Sequence, residues 1–324
     1  MNGLLVTAGE RLSIGSSLDW VSDLIAEGAG GELCAGETAN ASVLVHVEAD
    51  RRPFETGGWD LLARGAWRQG GEVVVENVCT AGFDLHLSCT GDRAEFTYRW
   101  RPPPRDRAAA RVLRSRFHLL ARATLLQYPA LWWAGTRGRP PLHASACASA
   151  GSTALVTAQS GIGRSTLMMH ELDAGGQATG DNLAVGDGTR LWGLVEPVRV
   201  KGGGGRRMPH GRHETSLPNR LASADPDCVV VVVRGRGEAP SLSRCGAETA
   251  ANALVASTYM AGELRRYWGF AAALAVGTGV GPAHPPVARV AAAFAGNLRC
   301  FSLALGRVHG ACLFGLLQSL EVAA

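Results

Sequence analysis

Along the first hundred residues apolar and polar positions alternate in short runs: SVLVHVEA at Ser42–Ala49, GEVVVENV at Gly71–Val78, FDLHLSC at Phe83–Cys89 and AEFTYRW at Ala94–Trp100. A period of two is that of a half-buried strand, and the Gly, Asp and Asn residues between the runs are turn formers. A β-rich N-terminal domain over residues 1–105 is therefore expected. RPPPRDR, Arg101–Arg107, reads as a linker, because three prolines continue neither a strand ladder nor a helix. After it, AAARVLRSRFHLLARATLLQYPALWWAG takes helical spacing with a break expected at Pro129, which gives a connecting segment over 106–140. Trp132 and Trp133 fall on its apolar face and are expected in the core.

Beyond residue 140 strands and helix mix. LHASACA, STALVTA, QATGDNLAVGDG, TRLWGLVEPVRV and CVVVVVRG read as strands, and STLMMHELDAG reads as a helix closed by Gly175 or Gly176. KGGGGRRMPHGRHETSLPNR, from Lys201, reads as an irregular, mobile loop, and the chain from about Ala247 to the end reads as Ala-rich helix. No internal repeat is visible. The expectation for 141–324 is an α/β domain.

Composition narrows the partners. At 324 residues and 46% hydrophobic the chain can bury a large core or form two domains. No run approaches the roughly 18 apolar residues of a membrane span, and MNGLLVTAGERLSIGSS lacks a basic start followed by a long apolar stretch, so a cytoplasmic protein with no membrane partner is expected. The net charge of +4 is mild and argues against a nucleic-acid binder. Cysteines 34, 79, 89, 147, 228, 245, 300 and 312 show neither C-x-x-C spacing nor disulfide density; most are expected to be buried thiols, with no zinc site. Of 32 basic residues only Lys201 is lysine, a skew that points to coding bias rather than to a physical requirement.

The candidate chemistry lies in AQSGIGRST, Ala158–Thr166, between a predicted strand and a predicted helix. A phosphate-binding loop reads G-x-x-x-x-G-K-[ST], so Ala158 stands at the first glycine and Arg164 at the lysine. Backbone N–H groups from Ser160 through Gly161, Ile162, Gly163, Arg164, Ser165 and Thr166, at a helix N-terminus, form an anion nest whatever the side chains are. Ser165 offers a hydroxyl to magnesium. Arg164 keeps the charge of lysine but not its compact geometry.

His143 in PLHASA precedes this loop and Asp181 in TGDNLAV follows its helix, each placed by the pattern on a strand. The order of histidine strand, SGIG-basic-S loop, helix and acidic strand resembles the catalytic domain of the HPr kinase/phosphorylase family, and more closely the HPr-kinase-related proteins of bacterial biosynthetic gene clusters. The motif match covers about Leu142 to Val200; the β-rich module and the Tyr-Pro segment before it extend the likeness. The resemblance implies a P-loop HPr-kinase-like α/β domain preceded by a β-rich domain, with ATP and Mg2+ as cofactors and a peptide or small-protein substrate phosphorylated on a serine. It implies that His143 lies near the transferred phosphate and that Asp181 activates the acceptor hydroxyl. Ser165, Asn182 and Glu196 are the expected metal-facing residues, and Arg164 would stabilise charge on the transferred group. The sequence departs from the family at Ala158, at Arg164 and at Asn182, where the family has a second aspartate. A scaffold that binds nucleotide or peptide without turnover stays open as the alternative, as does ATP-driven activation of another group such as a carboxylate.

Weaker candidates are Lys201, as a substitute cation, and Arg206, Arg207, His210, Arg212 and His213, as a patch on a closing loop; for each, plain solvated charge is the competing reading. For Glu196 a solvated acid at a strand end is the favoured reading over a metal-facing one. A homo-oligomer is left open.

Overall fold

The computed structural model describes residues 2–35, 40–201, 207–208, 211–307 and 312–322. The fold is mixed α/β. By compactness it divides into two units, each assembled from separate stretches of chain: Met1–Arg137 with Arg206–Arg212 and Arg266–Pro285, and Gly138–Gly205 with His213–Arg265 and Pro286–Ala324. Among the described residues no helix is long and apolar enough to cross a membrane.

The chain opens with β1 (Asn2–Thr7), β2 (Glu10–Ser16), α1 (Asp19–Gly28), β3 (Val43–Glu48), β4 (Asp60–Ala63), β5 (Ala66–Gln69), β6 (Glu72–Val75), β7 (Phe83–Thr90) and β8 (Arg93–Trp100). The four alternating runs are β3, β6, β7 and β8. They lie in one eight-stranded sheet ordered β1-β2-β3-β8-β7-β6-β5-β4. Alternation works as expected: Val43, Val45 and Val47 are buried while His46 between them is exposed. The β1–β2 hairpin turns through Ala8 (φ 53°) and Gly9 (φ 71°), the left-handed pair that a tight hairpin favours.

Next come α2 (Pro104–Val112), α3 (Arg114–Arg122) and α4 (Tyr128–Thr136). Two sequence expectations are corrected here. The triple proline does not hold the chain out of a helix: Pro103 caps α2 and Pro104 opens it, at a position where the missing N–H would have had no partner anyway. The helical run bends at Leu113 (φ −105°, ψ 48°) and not at Pro129. A five-residue π turn, Ala123–Gln127, joins α3 to α4 and leads into Pro129. Its wider ladder relieves the crowding that a proline ring imposes on the carbonyl of the preceding turn. Trp132 and Trp133 are buried, as expected.

The remaining elements are β9 (Pro141–Leu142), β10 (Ala144–Ser149), β11 (Ser152–Ala158), α5 (Arg164–Asp173), β12 (Gln177–Ala178), β13 (Ala184–Gly186), β14 (Leu191–Gly193), β15 (Val198–Lys201), β16 (Arg212–Thr215), β17 (Ser223–Ala224), β18 (Cys228–Arg234), β19 (Ser241–Arg244), α6 (Ala247–Met260), α7 (Tyr267–Thr278), α8 (Val287–Asn297), β20 (Arg299–Leu305) and α9 (Leu313–Val322). A six-stranded sheet runs β12-β10-β11-β18-β20-β19, and a four-stranded one runs β17-β14-β13-β9. β11, β18 and β20 are parallel neighbours. This explains the unbroken valines of β18, since a parallel strand is covered on both faces.

The C-terminal region is not all helix. RCFSLAL forms β20, paired with β18 over seven positions from Cys228–Arg299 to Arg234–Leu305. Its Ala, Leu and Ser tolerate helix, so pairing rather than propensity decides. The cysteines are free, but only Cys147, Cys228 and Cys300 are buried; Cys79, Cys89 and Cys245 are half-buried, and Cys34 and Cys312 are exposed.

Candidate functional site

All of the site's described residues belong to the second unit. β11 delivers the chain into the glycine loop at the carboxyl end of a parallel strand, the edge at which open α/β sheets bind ligands. Ala158 is still in register with Val232 as the last residue of β11, so this position asks for no special backbone angle and loses nothing by not being glycine. Gly161 (φ 83°) and Gly163 (φ 126°) do need to be glycine. A Cβ on Gly163 would also lie 2.9 Å from Leu305 Cδ1, while one on Gly161 would meet nothing within 4 Å.

Gly163 caps α5 without a side-chain bond. Ile162 N–H donates to the Gln159 carbonyl at 3.3 Å, and Leu167 N–H to the Gly163 carbonyl at 3.0 Å. The N–H groups of Gly161, Gly163, Arg164, Ser165 and Thr166 find no acceptor among the described residues. Unspent amides at the positive end of a helix dipole make a cradle for an anion. Ser160, Gly161 and Thr166 are exposed, Ile162 and Ser165 half-buried.

Arg164 turns inward. It is 5% exposed, and its guanidinium donates from Nη1 to the His143 carbonyl (2.8 Å) and from Nη2 to the Asn182 carbonyl (3.3 Å), with Nη2 also 3.0 Å from His143 Nε2. Burial pushes its pKa below the ordinary arginine value, against the pull of the Asp181, Glu196 and Glu263 carboxylates; arginine stays charged. One side chain thus ties the histidine and the acidic segment to the first turn of the helix that follows the loop.

His143 is not inside a strand but at the joint between β9 and β10, where the chain leaves one sheet for another. Its N–H donates to Thr258 Oγ1 (3.0 Å) and its carbonyl also accepts from Thr157 Oγ1 (3.2 Å). Burial, reinforced by the Arg164 charge, lowers the imidazole to about 3, so the ring is neutral and Nε2 accepts from Arg164.

Asp181 is likewise not on a strand. It lies, 2% exposed, in the bend between β12 and β13. Its Oδ2 accepts from Asn182 Nδ2 at 3.4 Å. Glu196 is not a solvated strand-end acid: it is 6% exposed, and its Oε1 accepts from Asn182 N–H (2.8 Å) and Leu183 N–H (3.0 Å). Burial first, then the nearby Asp181 charge, raise Glu196 to about 7, against the Arg199 charge and the two backbone donors. The missed signal was its setting: LVEPV places a lone acid in an apolar run. Arg199, which sequence reasoning passed over, stands 3.3 Å from Glu263 and 3.9 Å from Glu214.

His143 Nδ1, Arg164 Nε, Asp181 Oδ1 and Glu196 Oε2 are buried and have no hydrogen-bond partner among the described residues. Buried polar groups are nearly always satisfied, and unsatisfied ones gather where a ligand, ion or water belongs. Among the described residues no three His, Cys, Asp or Glu side chains gather as a metal site. Ser165 carries a hydroxyl with no hydrogen bond among the described residues, and Asn182 is held by Glu196 through its N–H. Of the weaker candidates, Arg207 and Arg212 are exposed and His213 is half-buried. The Lys201 side chain, Arg206 and His210, with most of the expected loop at 202–210, lie outside the described residues.

Compared with protein-family models and with curated proteins, the chain matches none.

Proposed function

We propose that the second unit is a P-loop, HPr-kinase-like domain and that the protein is a nucleotide-dependent phosphotransferase acting on a hydroxyl, on a serine of a peptide or small protein. The observation that carries this reading is the joining of two features by Arg164: a glycine-built loop with unspent amides, and a buried acidic cluster whose Asp181 Oδ1 and Glu196 Oε2 have no hydrogen-bond partner among the described residues. The residues fit the cofactors. The amides of Gly161 to Thr166 would hold the phosphates of ATP. Hard carboxylate oxygens of Asp181 and Glu196, with the Ser165 hydroxyl, are the donors Mg2+ takes, which needs only one or two carboxylates beside phosphate and water. Bound there, ATP and Mg2+ supply the transferable phosphoryl group and the charge neutralisation of phosphoryl transfer.

Asp181 orients the acceptor hydroxyl and receives its proton. Glu196 accepts from the Asn182 and Leu183 N–H groups through Oε1 and so holds the bend that carries Asp181 in place. Neutral His143 accepts from Arg164 and keeps that guanidinium aligned. Arg164 acts by position: it fixes the bend at 181–182 against α5 instead of reaching for the γ-phosphate. The cytoplasm, with its ATP and reduced thiols, is the setting this reading assigns.

The test is to incubate protein, ATP, Mg2+ and a candidate precursor peptide and to look for a product heavier by about 80 daltons, the mass of one added phosphoryl group. Asp181→Asn is expected to cut turnover by orders of magnitude while leaving nucleotide affinity within about tenfold. Turnover equal to wild type assigns Asp181 to structure. Calorimetry without binding at millimolar nucleotide removes the reading. A second reading, a scaffold that binds nucleotide without turnover, is favoured by one observation: both terminal nitrogens of Arg164 are engaged with His143 and Asn182. Nucleotide binding with no heavier product is its signature.

A further inference from the structure

The first unit contains a cavity of about 810 Å³ that phosphoryl transfer does not use. Its aromatic side is Trp100 and Phe117, with ring centroids 5.3 Å apart and Trp20 packed 5.1 Å from Trp100. Its rim is arginine. Arg101 is neutralised by Asp84. Arg51, Arg107, Arg111 and Arg114 are exposed, and their guanidinium groups make no ion pair or hydrogen bond among the described residues.

Two further facts mark this as a docking place and not chance charge. α2 buries none of its side chains, and the bend into α3 presents Val112 at 82% and Leu113 at 47% exposure. The segment from Arg101 to Arg122 carries seven arginines and one acid, Asp106; of the chain's 32 basic and 28 acidic residues, 25 and 27 are left elsewhere. The positive field is therefore local.

We infer that this cavity docks an acidic peptide segment. Its carboxylates pair with the free guanidinium groups, which hold carboxylate two-pronged. Its apolar side chains cover Trp100, Phe117 and the Val112–Leu113 bend. Spacing agrees: Arg107 and Arg111 are one helical turn apart, a rise of about 6 Å, and same-face residues of an extended chain repeat at about 6.7 Å. A small polyanion would leave Val112 and Leu113 uncovered. A nucleic acid would meet repulsion from the acid-leaning remainder beyond the patch. The inference stands on the first unit alone and does not rest on phosphoryl transfer.

The test is fluorescence anisotropy of the full chain with a fluorescein-labelled, glutamate-rich short peptide containing leucines. Saturable, salt-weakened binding is expected, lost by at least about tenfold in the double variant Arg107→Glu, Arg111→Glu, as befits removal of charge-assisted hydrogen bonds. Val112→Ser with Leu113→Ser should weaken the peptide about threefold and leave tripolyphosphate unaffected. Because α2 buries nothing, these variants should keep the wild-type circular dichroism, and Arg107→Gln with Arg111→Gln provides a milder pair with the same direction. No saturable binding, or equal binding by the glutamate variants, overturns the inference. So does competition by tripolyphosphate or oligo-dT at lower concentration than unlabelled peptide, which would assign the cavity to phosphate.

Discussion

Arg164 in the second unit and Arg107, Arg111 and Arg114 in the first are the same side chain in the same arginine-rich chain, yet their surroundings differ completely. Arg164 is buried, and its terminal nitrogens meet two carbonyls and an imidazole within 3.3 Å. The other three are exposed at a cavity rim whose described lining residues include no carboxylate. A buried cation is tolerable only when its donors are used, so Arg164 specifies a local structure. An exposed cation costs nothing to leave free, so the rim arginines are available to a partner. Coding bias accounts for why the residues are arginine; where each guanidinium lies decides what it does.

The largest break in that comparison is Arg164→Ala. It leaves buried carboxylates and carbonyls uncompensated, and a loss of about 3 to 5 kcal/mol in urea denaturation is expected. Arg164→Lys should keep part of this, because one ammonium cannot span the His143 and Asn182 contacts. A loss below about 1 kcal/mol for the alanine variant would show that the guanidinium is not built into the interior.

The next effect is in pH. Glu196, raised from 4.5 to about 7, holds a proton in the folded state that the unfolded chain releases, so its contribution is present at low pH and lost as pH rises towards 7. His143, lowered from 6.5 to about 3, has the opposite sign: the unfolded chain binds the proton, and stability is lost as pH falls below 6.5. Between pH 4.5 and 6.5 the two slopes oppose and nearly cancel. Glu196→Gln should uncover the histidine slope, a fall of up to about 1.4 kcal/mol per unit as pH drops, and His143→Asn should uncover the reverse. Parallel curves for wild type and Glu196→Gln would mean that Glu196 is ionised throughout.

A smaller effect is expected at the loop. Gly163→Ala places a side chain at φ 126° and 2.9 Å from Leu305 Cδ1, so about 2 kcal/mol of strain should appear, together with loss of nucleotide binding in calorimetry. The smallest effect belongs to the rim: Arg111→Ala should alter stability by no more than about 0.5 kcal/mol while lowering affinity for the acidic peptide. A larger change would show that α2 is held by contacts of its own.

Much of the fold was legible because it is periodic. Val43, Val45 and Val47 alternate with polar residues, CVVVVVR is apolar throughout, and both patterns name their strands without help from distant residues. The glycine loop was legible as well, since Gly161 and Gly163 take the positive φ angles that glycine allows. β20 was not, because RCFSLAL becomes a strand only by pairing with β18, some seventy positions earlier. Pro129 misled because the π turn before it depends on how the whole helix packs.

Local pattern therefore names several of the strands, though not β20, together with the glycine-built loop and the near-absence of lysine. Tertiary packing turns Arg164 inward, buries Glu196 near Asp181, and leaves Arg51, Arg107, Arg111 and Arg114 about an aromatic cavity with no side-chain partner among the described residues. Periodicity and backbone demand are local properties, set by neighbours in the chain. Burial, desolvation and the pairing of charges depend on what the fold brings close, and that is written at no single position.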